Sequence, residues 1–187
     1  GAVPTSYLVA RAVRGIDLRQ HGSGNLGATN AFRVLGWKAA TPIFILDIAK
    51  GWFPTAFLPR WDGSAGWGWP LAYGAAAIVG HVFSIYVGFK GGKGVATGAG
   101  VFLALAPAAV LVGLMVWGAL LLAPGYVTLA SITAAVTLPV VVLAVQGAGP
   151  VLYLAIALSA FVVYAHRSNI GRLRRGEEHR FRRKARA

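Results

Sequence analysis

Cysteine is absent from this 187-residue chain, which excludes disulfides and thiol catalysis and leaves the redox compartment unread. Acids are scarce, five Asp and Glu against eighteen Lys and Arg, for a net charge of +13. No spacing of His or Cys fits a zinc site, and no metal or cofactor is expected. Charged residues are only 12% of the chain and hydrophobic ones 57%, against ~25% charged in soluble domains. With so little charge, the long apolar runs exclude an ordinary soluble core. They describe an all-α, polytopic integral membrane helix bundle, one domain over 1–187 that ends in a basic tail at 166–187.

Gly1 to Ala10 reads as the inner half of a first span, with a few more apolar residues expected before it. Thr41 to Leu58 forms the second span, leaving through the turn Pro59-Arg60-Trp61-Asp62-Gly63. Trp61, Trp67 and Trp69 cluster there as an interfacial aromatic belt would. Pro70 to Val87 is the third span. From Val95 to Ala165 the apolar run is broken at Ala106-Pro107, Pro124-Gly125 and Gln146–Pro150. These breaks leave segments near 95–106, 107–123, 126–145 and 150–165. Several are shorter than the ~20 residues of a normal span, and 95–106 has the length of a re-entrant piece. The count is about seven, with five and six as alternatives. Seven spans put the loops 11–38, 89–94 and 166–187 on one side, with sixteen of the eighteen basic residues. The positive-inside rule makes that side cytoplasmic and the N-terminus external. The tail suits anionic lipid. Nucleic acid is not an expected partner, because the aromatics lie in apolar runs and not among the basic residues.

Chemistry concentrates in the three loops. Between Gly88 and Gly98 lie five glycines with Lys90 and Lys93, followed by a helix expected from about Val95. Backbone N–H groups, lysine and a helix N-terminus make an anion cradle. It is not a nucleotide loop: Val87 and Gly94 stand where the Walker pattern needs Gly and Ser or Thr. An ordinary charged connector is the competing reading. The first loop holds Ser23-Gly24-Asn25-Leu26-Gly27-Ala28-Thr29-Asn30 and then Arg33. Hydroxyls, tight backbone and a guanidinium suit phosphate, while the plainer reading is a turn that caps a helix at Thr29 or Asn30. In the third loop, His166, Asn169, Glu177 and Glu178 are unusual for a plain basic tail. Asp47 and Lys50 share a helix face inside a span and read as a structural ion pair. His81, near the end of the third span, fits either a core histidine or a neighbour of the loops.

Together these segments resemble the three motifs of the bacterial acyl-phosphate:glycerol-3-phosphate acyltransferase family (PlsY). The first segment is Ser23–Asn30 with Arg33. The second is Gly80-His81 with Phe89–Thr97, and the third is His166–Ile170 with Arg172, Leu173 and Gly176. The resemblance implies acyl transfer from acyl-phosphate to the 1-hydroxyl of glycerol 3-phosphate, giving lysophosphatidic acid and phosphate in the first step of phospholipid synthesis. It also implies an inner-membrane enzyme with a cytoplasmic site, no cofactor, and a soluble enzyme that supplies the acyl-phosphate. Ser23, Arg33, Lys93, His166 and Asn169 would be catalytic. Asn25, Thr29, Asn30, His81, Lys90, Gly91, Gly92, Gly94, Thr97 and Glu178 would bind substrate, with the glycines shaping their loop and Glu178 holding the third. No base stands out: His166 and a substrate phosphate oxygen are both open. The His-X4-Asp pattern of another acyltransferase type is missing, since Leu26, Tyr86, Gly171 and Lys184 occupy the Asp position. A membrane transporter for a phosphorylated solute is the alternative, and would want anion-binding groups at the bilayer midplane.

Overall fold

The computed structural model describes residues 1–64, 66 and 68–181. Trp67 of the tryptophan cluster and the basic tail from Arg182 lie outside the described residues. Among the described residues every regular element is helical. The chain divides into two compact units, Gly1–Leu105 and the part from Ala106 onward.

The first unit contains α1 (Thr5–Arg14), α2 (Ala28–Leu35), α3 (Trp37–Ala56), the short α4 (Leu58–Trp61), α5 (Gly68–Val82) and α6 (Val95–Leu105). Helix α3 is its axis and packs on α1, α2, α5 and α6. Lipid tails are as apolar as leucine, so close packing and polar contacts must hold such helices together. Both occur here. A Cβ on Gly51 would lie 2.1 Å from the Thr97 carbonyl oxygen, and one on Gly100 would lie 2.0 Å from that of Ile48. The α3 and α6 backbones therefore touch, which only glycine at these positions permits.

The Asp47–Lys50 pair is structural, as its helical spacing implied. Lys50 Nζ lies 2.7 Å from Asp47 Oδ1 and donates to the Val3 carbonyl at 2.9 Å. Thr5 Oγ1 donates to Asp47 at 3.0 Å. A buried charge is tolerable when its hydrogen bonds are made, and these bonds tie the start of α1 to α3.

The second unit contains α7 (Pro107–Leu122), α8 (Val127–Gln146), α9 (Pro150–Ala165) and α10 (Arg167–Arg174). Helix α8 packs between α7 and α9. The breaks fall where proline and glycine placed them. Among the described residues two segments, Gly68–Val87 and Val127–Gln146, are long and apolar enough to cross a membrane, and the pair α9–α10, bent by 53°, is a third if taken as one. Helix α6, with eleven residues, rises only ~16 Å against a ~30 Å hydrocarbon core.

Four features differ from the sequence reading. Helix α1 continues past Ala10 to Arg14, and α2 lies inside the expected loop 11–38. Both are amphipathic: Ala10, Ala31 and Leu35 join a core with Leu18, Leu26, Ala40, Ile43 and Val87, while Arg11 and Arg14 are exposed and Arg33 is half-buried. Helix α3 starts at Trp37 rather than Thr41 because Ala40 belongs to that core. Much of the expected third loop is α10.

Candidate active site

The loop before α2 is organised by Asn30, 2% exposed. Its Nδ2 donates to the carbonyls of Leu18 at 3.3 Å and His21 at 3.0 Å. Its Oδ1 accepts the Ser23 N–H at 2.8 Å. Ser6 Oγ closes the other side on the Leu26 carbonyl at 2.6 Å. Ser23 itself is exposed. Gly24 turns with φ +72°, where a side chain would be strained. The expected cap is corrected: neither Thr29 nor Asn30 caps α2. Gly27 does, without a side-chain bond, because the Asn30 amide is committed to the loop. Asn25 Oδ1 lies over Gly27, 2.9 Å from where a Cβ would stand. Thr29 is in the first turn of α2 and Arg33 in its last, both half-buried.

Asp17 and Arg19 brace the same loop. Arg19 Nη2 lies 2.7 Å from Asp17 Oδ2, and its Nη1 donates to the Val87 carbonyl at 3.1 Å. The bond from the Arg19 side chain is the largest influence on the Asp17 carboxyl and brings it down to about 2, against the opposing effect of burial.

The second segment folds onto the end of α5. Gly91 N–H donates to the Val82 carbonyl at 2.9 Å and Gly92 N–H to that of His81 at 3.2 Å. A Cβ on Gly91 would lie 1.9 Å from the His81 carbonyl oxygen, and one on Gly92 2.2 Å from His81 Nε2. These glycines are needed where the loop meets its own helix, a reason the sequence reading did not anticipate. His81 is buried and forms that surface, with Nδ1 4.0 Å from Asp47 Oδ1. Gly94 takes φ +79° just before α6. Phe89 is the one non-glycine residue with positive φ among the described residues; its N–H donates to Ser84 at 2.8 Å. Such a residue stores strain that its surroundings must hold. Lys90 is exposed and Lys93 half-buried. Thr97 is fully buried in the α3–α6 contact, and its Oγ1 makes no hydrogen bond among the described residues.

In the second unit, Glu178 is buried although it follows α10. Its Oε1 accepts from Thr128 Oγ1 at 2.8 Å and Asn169 Nδ2 at 2.9 Å. Its Oε2 accepts from Arg172 Nε at 2.8 Å. Burial alone would raise its pKa, but these hydrogen bonds and the Arg172 charge outweigh it and hold the carboxyl below its ordinary value. Glu177, in contrast, is exposed and pairs with Arg175. The two neighbouring acids are thus told apart: Glu178 fastens the chain after α10, and Glu177 does not. His166 is buried, with Nδ1 2.8 Å from the Val162 carbonyl. A carbonyl only accepts, so Nδ1 carries the proton and a neutral ring has its lone pair on Nε2.

The sequence singles out neither Thr128 nor Arg19, and it gives Arg172, quoted in the third motif segment, no role of its own. Thr128 opens an apolar run with no signal of its own. The Asp17-x-Arg19 spacing was visible, but only the fold shows what it reaches.

All five acids are engaged. Asp17 pairs with Arg19, Asp47 with Lys50, Glu177 with Arg175 and Glu178 with Arg172. Asp62 accepts from Tyr73 and the Ser64 N–H. The cations outnumber them, so both units present groups suited to anionic oxygen.

The family model described as glycerol-3-phosphate acyltransferase matches residues 1–176. Proteins named glycerol-3-phosphate acyltransferase are similar over nearly the whole chain. That of Desulforudis audaxviator is 46% identical over 97% of this chain and 90% of its own. That of Geotalea daltonii is 42% identical over 98% and 93%, and that of Aquifex aeolicus 40% over 97% and 93%. A crystal structure of PlsY, an integral membrane glycerol 3-phosphate acyltransferase, in its glycerol 3-phosphate form superposes with a TM-score of 0.86. It shares 39% identity and the match covers 97% of this chain and 91% of that one. The lysophosphatidic acid form gives 0.82 at 36% identity, covering 96% and 90%. With the family model matched almost end to end and the helical fold shared, the chain belongs to the glycerol-3-phosphate acyltransferase family and is an integral membrane acyltransferase.

Proposed function

We propose that this enzyme transfers a fatty acyl group from acyl-phosphate to the 1-hydroxyl of glycerol 3-phosphate, as one membrane-embedded domain over 1–187. The observation that carries the reading is the near full-length match to an acyltransferase whose structure is in a glycerol 3-phosphate form, together with the three motif segments quoted above. A transporter loses its support, because the similar proteins are named as acyltransferases.

Glycerol O1 attacks the acyl carbon, a C–O bond forms, and the bond from the acyl carbon to the phosphate oxygen breaks. The O1 proton passes to a phosphate oxygen or to His166, and inorganic phosphate leaves. The donor is already activated, so the protein's work is alignment and charge stabilisation. Ser23, Arg33 and Lys93 bind phosphate and the reacting centre, with Asn25, Thr29, Lys90 and the N–H groups of the glycine loop beside them. His166 offers Nε2 as acceptor to the attacking hydroxyl, and Asn169 orients glycerol 3-phosphate. The carboxylates are all engaged in the pairs and hydrogen bonds above, which favours a substrate oxygen or His166 as proton acceptor over an acidic side chain. Asn30, His81, Thr97 and Glu178 serve the substrates by fixing the segments that touch them.

The spans number about seven. Loops 11–38, 89–94 and 166–187 face the cytoplasm of a bacterial inner membrane and the N-terminus lies outside, on the strength of the positive-inside rule. A soluble enzyme supplies the acyl-phosphate.

Purified protein given acyl-phosphate and glycerol 3-phosphate is expected to release phosphate and acylated glycerol phosphate in equal amounts. It should yield none from acyl-CoA. If phosphate is not released above the rate of spontaneous hydrolysis, the proposal fails.

A further inference from the structure

Arg19 stands outside the three motif segments, yet its guanidinium meets three separate parts of the first unit. Two of its nitrogens hold the Asp17 carboxylate, Nη2 to Oδ2 at 2.7 Å and Nε to Oδ1 at 3.0 Å. The third, Nη1, donates to the Val87 carbonyl at 3.1 Å, sixty-eight residues away. Its Cζ lies 5.3 Å from the centre of the Tyr7 ring on α1. Asp17 Oδ1 also accepts the Arg19 N–H at 3.0 Å, so side chain and backbone are fixed together.

A short path leads from each end of this bridge to a proposed substrate contact. On one side, the carbonyls of Leu18 and His21 flank Arg19 in sequence and receive the Asn30 amide, whose Oδ1 holds the Ser23 N–H. On the other, Val87 is followed by Gly88 and Phe89, both in the left-handed region, and then by Lys90 and the Gly91–Gly92 pair that leads to Lys93. The backbone at Phe89 is a conformation that a non-glycine residue adopts only under constraint. Its N–H bond to the Ser84 carbonyl and the anchored carbonyl at Val87 constrain the backbone that leads into it.

We infer that Arg19 is a positioning residue, which joins the Ser23 loop to the Lys90–Lys93 turn and sets the register between these two anion-binding segments. It touches no substrate. The inference rests on the proposal that Ser23 and Lys93 both act on the phosphorylated substrates. Lysine is a poor replacement: it keeps the charge against Asp17 but lacks the planar fork that holds a carboxylate and a carbonyl at once.

The test compares purified wild type, Arg19→Lys and Arg19→Ala, with kcat and the KM for each substrate measured separately and melting temperature recorded for each. Misplacing a reacting group by about 1 Å costs on the order of 100-fold. Arg19→Ala is expected to lower kcat/KM for glycerol 3-phosphate about tenfold or more. Arg19→Lys should regain the wild-type melting temperature without regaining kcat/KM. That split is the expected signature, because a merely structural charge would restore both. The inference is overturned if either folded variant keeps kcat/KM within about twofold of wild type, or if Arg19→Lys restores melting temperature and kcat/KM together. An inactive wild type would instead count against the acyltransferase chemistry itself.

Discussion

His166 and Glu178 show how much a single side chain's partners decide. His166 has its Nδ1 proton on the Val162 carbonyl, so its role depends on Nε2. Replacing it by Ala discriminates the two proton acceptors. If a substrate oxygen takes the proton, His166→Ala loses about tenfold in kcat/KM and keeps the wild-type pH–rate profile. If the histidine is the base, the loss is ~100-fold or more and the limb of the profile below neutrality disappears. Glu178 gives a stability prediction. Its folded carboxyl titrates below the ordinary value of 4.5. On acidification the unfolded chain therefore takes up the proton first, and stability falls with pH in that window. The contribution is fully present above about pH 4.5 and drains away as pH drops through the folded value. Thermal denaturation in detergent between pH 3 and 7 should show this slope, and Glu178→Gln should flatten it while lowering the neutral-pH melting temperature. A slope unchanged in Glu178→Gln would assign the pH dependence elsewhere. Asp17, brought to about 2 by Arg19, adds a term of the same sign at lower pH.

At the scale of elements, the glycine loop is fixed by what it leans on. The sequence marked the loop, its lysines and the helix that follows, because composition and local pattern carry that signal. It did not explain Gly91 and Gly92, since the reason is a long-range contact with the His81 backbone and ring. Gly92→Ala would push its Cβ into the His81 ring, and Gly91→Ala into a backbone carbonyl that cannot move aside. Overpacking of this kind typically costs about 1–3 kcal/mol. The expectation is a fall in kcat/KM of ~10-fold or more for Gly91→Ala, with a smaller loss for Gly92→Ala because a side-chain ring yields more readily. Saturation curves for glycerol 3-phosphate measure both, and equal or negligible losses would show that the contact does not govern the loop. Helices α1 and α2 teach the converse. Charges made Arg11 to Lys38 look like a loop, but tertiary burial of one apolar face folds most of its ends into helix.

For the whole molecule, the absence of cysteine makes orientation in the membrane directly measurable. Single Ser64→Cys and Lys38→Cys variants, treated in intact cells with a membrane-impermeant thiol reagent, are expected to differ. Ser64→Cys should be labelled from outside and Lys38→Cys only after permeabilisation, as the positive-inside rule requires. The reverse pattern would invert the topology and move the proposed site to the other face.

The sequence by itself determined the class of this protein. Too few charges for a soluble surface, apolar runs cut by proline and glycine, and three small-residue motifs are local and compositional signals, and they fixed the helical membrane fold, the break points and the family. The tertiary structure alone decided which groups meet. Asn30 was committed to its own loop, Glu178 was separated from Glu177, and Arg19 was carried to Val87 across sixty-eight residues. The physical reason is that buried donors and acceptors must find partners, and which partner lies in reach is settled by how the helices pack.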